Sequence, residues 1–119
     1  MPDQQAMFLS PLKAENAREN IWIFRAYQGL SRKDLAEVLA SMVTQLLEGD
    51  LDMARYQFRE YIIGHMELEQ IAEEVKIPAK SLSRMLGPKG NPTSQNLIKI
   101  IRSISARHNI KLRAIAEPA

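Results

Sequence analysis

An all-α fold is predicted by three properties of this sequence. Apolar residues recur at three- and four-residue spacing through most of the chain. Each periodic block is opened or closed by residues that cap helices, and the connections between blocks are short. The chain has 119 residues, 45% hydrophobic and 25% charged, a balance that supports one packed core, or one domain with an added helical subregion. There is no cysteine, which excludes disulfides, thiolate metal sites and cysteine nucleophiles. The longest wholly apolar runs, such as Ile21 to Phe24, are far shorter than the roughly 20 residues of a membrane span. No basic-then-apolar leader opens the sequence. A soluble, cytoplasmic protein without membrane contact is expected.

The elements follow in order. Residues 1–9 carry no period and read as an arm. Ser10-Pro11 starts a helix, with Ser as N-cap and Pro at the first helical position; it runs to about Gln28 and ends at Gly29. Ala17, Ile21, Phe24 and Gln28 share one face, with Trp22 and Ala26 nearly opposite. This helix is therefore either central or a partner surface, and a core role is the simpler reading.

Ser31 with Asp34 resembles a capping box. The helix behind it carries Leu35, Leu39, Met42 and Leu46 on one stripe, with Val38, Val43 and Leu47 beside it. Glu48-Gly49-Asp50 stops that helix and caps the next. The third, from about Leu51 to Ile63, buries Ala54, Phe58, Tyr61 and Ile62, and Gly64-His65 ends it.

The stretch from Met66 to Leu86 organises the rest. It reads as a helix over Glu67 to Val75, a break at Lys76-Ile77, and a second helix from Pro78 to Leu86. Ile71, Ala72, Val75, Ile77, Leu82 and Met85 form its shared core. This is the geometry of a helix-turn-helix, although an ordinary helical hairpin has the same spacing. Gly87 to Pro92 is a loop. Thr93, or Asn91 ahead of Pro92, caps a last helix from Ser94 to about Ala106, with Leu97, Ile98, Ile101 and Ile104 inward. Period-two alternation over Asn109 to Ala116 suggests a short strand that would need a partner strand, but a helix extension or a frayed tail is the preferred reading. The resulting organisation is a helical region over 1–64, a helix-turn-helix region over 65–107 and a tail over 108–119.

Charge separates the halves. Residues 1–75 hold seven Lys/Arg against thirteen Asp/Glu, net −6, while residues 76–119 hold nine against one, net +8. No acidic residue occurs between Lys76 and Ala116. So long an acid-free stretch points to a polyanion. On the helix-turn-helix reading, Ala79, Lys80, Ser81, Ser83 and Arg84 face away from Leu82 and Met85 toward base edges. Arg84 suits a bidentate guanine contact, Lys80 a base edge or phosphate, and Ala79 a thymine methyl. The two serines suit either target, or simply face solvent. Gln70, Lys89, Asn91, Thr93 and Ser94 would hold phosphates. The ordinary alternative for Arg84 is an ion pair with Glu73 or Glu74.

Over Glu67 to Ile104 the chain resembles helix-turn-helix domains of the phage-repressor class, on QIAEEVKIPAKSLSRML, the Gly-rich loop and NPTSQNLIKII. More closely, it is similar to the antidote (antitoxin) proteins of bacterial addiction modules. There LEGD, a short helix, the helix-turn-helix and GNP…LIKII follow in this order, here Leu47 to Asp50, Met53 to Ile63, residues 66–86 and Gly90 to Ile101. The likeness covers about residues 35–113. It implies a compact all-α domain with a repressor-like helix-turn-helix and extra N-terminal helices. It further implies an autorepressor that binds operator DNA and neutralises a small ribonuclease toxin. The chain departs from the pattern at Lys76, where the turn usually has Gly, and in the helix from Pro11 to Gln28.

One such domain makes few contacts, so a homodimer on two half-sites is expected, with the tail and the Trp22 helix as candidate surfaces. A free-standing repressor is one alternative. Another is an antidote acting mainly through protein contacts, whose acidic half grips a basic toxin through Trp22, Phe24, Tyr27, Tyr56, Phe58 or Tyr61. Catalysis is not expected: His65 and His108 stand isolated, no metal-ligand spacing or nucleophile elbow occurs, and GPKGNP lacks the Gly-Lys-Ser/Thr of a phosphate loop. Glu67, Glu69, Glu73 and Glu74 read as an exposed helix face. No cofactor or metal is expected.

Overall fold

The computed structural model describes residues 17–119, with side chains from residue 23 onward. The expected arm and the Ser10-Pro11 helix start lie outside the described residues, as does the packing of Ala17, Ile21 and Trp22. The described chain is all-helical. It comprises α1 (Ala17–Gln28), α2 (Arg32–Leu47), α3 (Leu51–His65), α4 (Leu68–Val75), α5 (Ala79–Met85) and α6 (Ser94–Arg107).

Local signals act as the sequence predicts at most boundaries. Ser31 Oγ accepts from Asp34 N–H at 3.1 Å and Asp34 Oδ2 accepts from Ser31 N–H at 3.2 Å, closing the capping box. Gly49 takes φ +84°, and Asp50 Oδ1 caps α3 through Met53 N–H at 3.1 Å. Helices α1 and α2 both pack on α3, while α4 packs on α5 and α6. One continuous core joins the two groups, from Ile23, Leu39, Met42 and Phe58 to Ile71, Leu82, Leu86 and Ile100.

Four expectations are corrected. Helix α3 continues past Gly64 to His65, and Met66 closes it in the left-handed region at φ +54°. Gly64 is instead a crossing point: a Cβ there would lie 2.4 Å from Tyr27 Cγ, so its absence admits the Tyr27 ring. The inner face of α1 centres on Ile23, with Phe24 and Tyr27 half-buried against the core. Gln28 is exposed, though its Nε2 donates to Gly64 O at 3.2 Å. On α6 the inward set is Leu97, Ile100, Ser103 and Ile104, while Ile98 is 56% exposed; the spacing i, i+3, i+7 sets the register. Leu47, placed beside the α2 stripe, is 77% exposed.

The tail forms no strand. Asn109 turns it with φ +55°, Ile110 N–H bonds Ser105 O at 2.9 Å, and Ile110 and Leu112 lie half-buried on the core. Lys111 and Arg113 are exposed. The period-two pattern therefore comes from an extended segment laid over the chain's own core, with no ladder.

The α4–α5 turn is closed at Lys76, φ +60° and ψ +42°. Ile77 N–H reaches back to Ala72 O at 3.0 Å, the long bond of a Schellman motif. A left-handed lysine costs about 1–2 kcal/mol, of which glycine would recover part because its own entropy cost is about 0.5–1 kcal/mol. Lys76→Gly is therefore expected to stabilise the fold by about 0.5–1 kcal/mol, read as a higher urea midpoint with unchanged slope. A lower midpoint would show that the Lys76 side chain stabilises the turn by more than its backbone strains it.

Candidate nucleic-acid interface

Helix α5 has seven residues and a simple wheel. Leu82 is fully buried, and Ala79 and Met85 are half-buried against the core on either side of it. At about 100° per residue, Lys80 and Arg84 fall on the opposite face, with Ser81 and Ser83 on the flanks. Lys80 and Arg84 are exposed and the two serines half-buried. Ala79 thus lies closer to the core than a base-contacting side chain needs. Gln70 is exposed in the first turn of α4, and Lys89, Asn91, Thr93 and Ser94 are exposed ahead of and at the start of α6. Thr93 Oγ1 caps that helix through Asn96 N–H at 3.1 Å.

Among the described residues Arg84 makes no ion pair. Of the two carboxylates that could take it, Glu74 bonds the Ser103 hydroxyl and, at 2.9 Å, Arg107 Nη1.

The loop after α5 is held from two sides. At Gly90 the backbone folds onto the end of α5 so closely that a Cβ would sit 1.9 Å from Met85 O. From α3, the Arg55 guanidinium donates to Pro88 O and Gly90 O, each at 3.1 Å, and pairs with Asp52 at 2.9 Å. These carbonyls flank Lys89 on both sides. The close approach that Gly90 permits is thus one of backbone to α5. Sequence reasoning missed Arg55, because nothing local marks an arginine whose loop partners, Pro88 and Gly90, lie more than thirty residues away. It also missed Lys76, Lys99 and Arg102, which line a groove between α4 and α6 with Glu74 and Ser103.

Helix α4 is locked onto α6 by charge. Glu67 Oε2 accepts from Arg107 Nε at 3.1 Å and its Oε1 meets His108 Nε2 at 2.9 Å. The four glutamates around α4 are therefore not one solvated face: Glu69 and Glu73 are exposed, whereas Glu67 and Glu74 bind the basic half.

Nor are the histidines isolated. Their ring centroids lie 4.3 Å apart, with Tyr61 packed 4.4 Å from His65 and 5.4 Å from His108. His65 Nδ1–H donates to Tyr61 O at 2.9 Å, and burial lowers its pKa. The same enclosure, chiefly burial with Glu60 adding to it, pushes the Tyr27 hydroxyl up to about 12. Phe58 and Tyr61, considered above as partner anchors, are fully buried.

No family model, curated protein or solved structure matches the chain. Among the described residues no helix is long and apolar enough to cross a membrane.

Two outcomes follow from this geometry. Gly90→Ala is expected to destabilise the chain by roughly 2–3 kcal/mol, because backbone must move to admit the methyl group; a urea midpoint equal to wild type would refute the close approach. The Ser103 hydroxyl, and then Arg107, hold the Glu74 carboxyl below the usual carboxylate range. A depressed carboxylate contributes stability above its unfolded pKa, about 4.5, that is lost as pH falls through the folded value. Ser103→Ala is therefore expected to cost about 1 kcal/mol at pH 7, discounted for the exposure of Glu74, and less at pH 3. Parallel stability curves over that range would exclude the bond.

Proposed function

We propose that the chain is a sequence-specific DNA-binding regulator that inserts α5 into the major groove. The observation that carries this reading is the pairing of Lys80 and Arg84 opposite the buried Leu82, within a stretch free of acidic residues from Lys76 to Ala116. Arg84 reads guanine through two parallel hydrogen bonds, and Lys80 takes a neighbouring base edge or phosphate. Lys89, Asn91, Thr93 and Ser94 hold one phosphate strand and Gln70 another, positioning the helix without reading sequence. A symmetric homodimer supplies two half-sites.

The order of motifs from Leu47 to Ile101 supports the narrower reading, a cytoplasmic antitoxin that represses its own operon. Its acidic N-terminal half then suits a small basic ribonuclease toxin. With Phe58 and Tyr61 in the core, the described aromatic side chain best placed to touch such a partner is Tyr56, 42% exposed.

The test is binding to the DNA upstream of the chain's own reading frame, followed by anisotropy against salt. Arg84→Ala is expected to weaken specific binding by about 1–3 kcal/mol and to relax preference at one base position. Lys89→Ala should weaken all sequences alike and reduce the salt slope by about one. Equal losses on specific and random duplex for Arg84→Ala would move that residue to the backbone. No binding to any duplex at low salt would end the proposal. Co-expression with the adjacent reading frame separates the antitoxin, which co-purifies in fixed stoichiometry, from a free-standing repressor, which does not.

A further inference from the structure

The chain has two histidines in 119 residues and no cysteine, and folding brings both imidazoles together beside one carboxylate. His65 comes from the last position of α3, Glu67 from the start of α4, and His108 from the end of α6. One potential ligand atom from each lies within 4.8 Å of the others. Bonds of about 2.0–2.2 Å to a tetrahedral zinc ion place ligand atoms about 3.3 Å apart, so small side-chain rotations close the set.

Three further details favour a metal over a plain polar cluster. His65 gives its Nδ1 proton to Tyr61 O, which leaves the Nε2 lone pair free, the tautomer that coordinates. That Nε2 is buried and has no hydrogen-bond partner, an uncommon condition for an interior nitrogen. Glu67 is oriented from outside by Arg107 on its second oxygen at 3.1 Å, as ligating carboxylates usually are.

We propose that His65, Glu67 and His108 bind a divalent transition metal, zinc(II) by preference, as a structural clamp between α3, α4 and α6. Two imidazoles and one carboxylate suit zinc and exclude calcium or magnesium as the natural occupant. The ion takes the place of the hydrogen bond between His108 Nε2 and Glu67 Oε1, 2.9 Å apart; His108 coordinates as a neutral imidazole through Nε2 and keeps its ring proton on Nδ1. Water fills the fourth position. His108 and Glu67 side chains are 14% and 13% exposed, so the ligand set lies largely within the fold, between three helices. The clamp is independent of any DNA-binding role.

The experiment uses the untagged full chain, stripped with EDTA and exchanged into metal-free buffer. Titration with zinc chloride in a calorimeter is expected to give one ion per chain with micromolar or tighter affinity. The unfolding midpoint should rise with zinc, and cobalt(II) should develop the visible bands of a four-coordinate nitrogen and oxygen site. His65→Gln and His108→Gln should each lower zinc affinity by well over tenfold, with far-UV circular dichroism confirming that the variants remain helical. If either variant unfolds, the cobalt spectrum of wild type decides the matter alone. Absence of saturable one-to-one binding in wild type, an octahedral cobalt spectrum, or unchanged affinity in a folded His65→Gln/His108→Gln double variant would overturn the proposal.

Discussion

One turn of α3 carries the structure. Tyr61, Ile62, Ile63 and Gly64 are all buried, so this turn is enclosed on every side of the helix, where a surface helix buries only a stripe. Gly64 exists to let α1 cross closely through Tyr27. Tyr61 packs against both histidines. Nine positions N-terminal to Gly64, the same helix sends Arg55 to the loop behind α5. Tyr27, His108 and the loop behind α5 belong to three different neighbours of α3. A disturbance of α3 is consequently felt by α1 and, through Arg55 and Tyr61, by the elements around α5.

The charge division acquires a different meaning in three dimensions. In sequence, the acidic and basic halves suggest separate tasks. In the fold, Glu67 and Glu74 of the acidic half bind Arg107, His108 and Ser103 of the basic half. Part of the asymmetry thus fastens α4 to α6. The cations of the basic half left facing solvent outside these pairs are Lys76, Lys80, Arg84, Lys89, Lys99 and Arg102 on α5 and the segments around it, with Lys111 and Arg113 on the tail. Of the nine Lys/Arg after Val75, only Arg107 is taken up by these pairs, so eight stay exposed to solvent.

How much could be read in advance follows from the range of each interaction. Caps are local: Ser31 with Asp34, Asp50 with Met53 and Thr93 with Asn96 each span three residues, and sequence predicts them. The α4–α5 core was equally legible, because Ile71, Ala72, Val75 and Leu82 are close in sequence and in space. Gly64 misled for a physical reason, since glycine serves both helix ends and helix crossings and only the neighbour distinguishes them. The tail's period two was ambiguous, because it reports a segment with one face covered, whatever covers it. The histidine pair was illegible: no spacing rule joins residues brought together by three separate helices.

The shortness of α5 has a consequence for what its surface can encode. Isolated helices below about 12–15 residues are marginal in water, so seven residues persist here only because Leu82 and Leu86 are fully buried and the turn at Lys76 and the contact at Gly90 fix both ends. The side chains on its outer face contribute little to that balance. Lys80 and Arg84 are replaceable as far as folding is concerned, whereas the residues behind them are not. A helix held from behind in this way presents a rigid surface whose outward residues are constrained mainly by what they touch. That separation of support from surface leaves Lys80 and Arg84 outside the packing that holds the helix, whereas Leu82 is set by it.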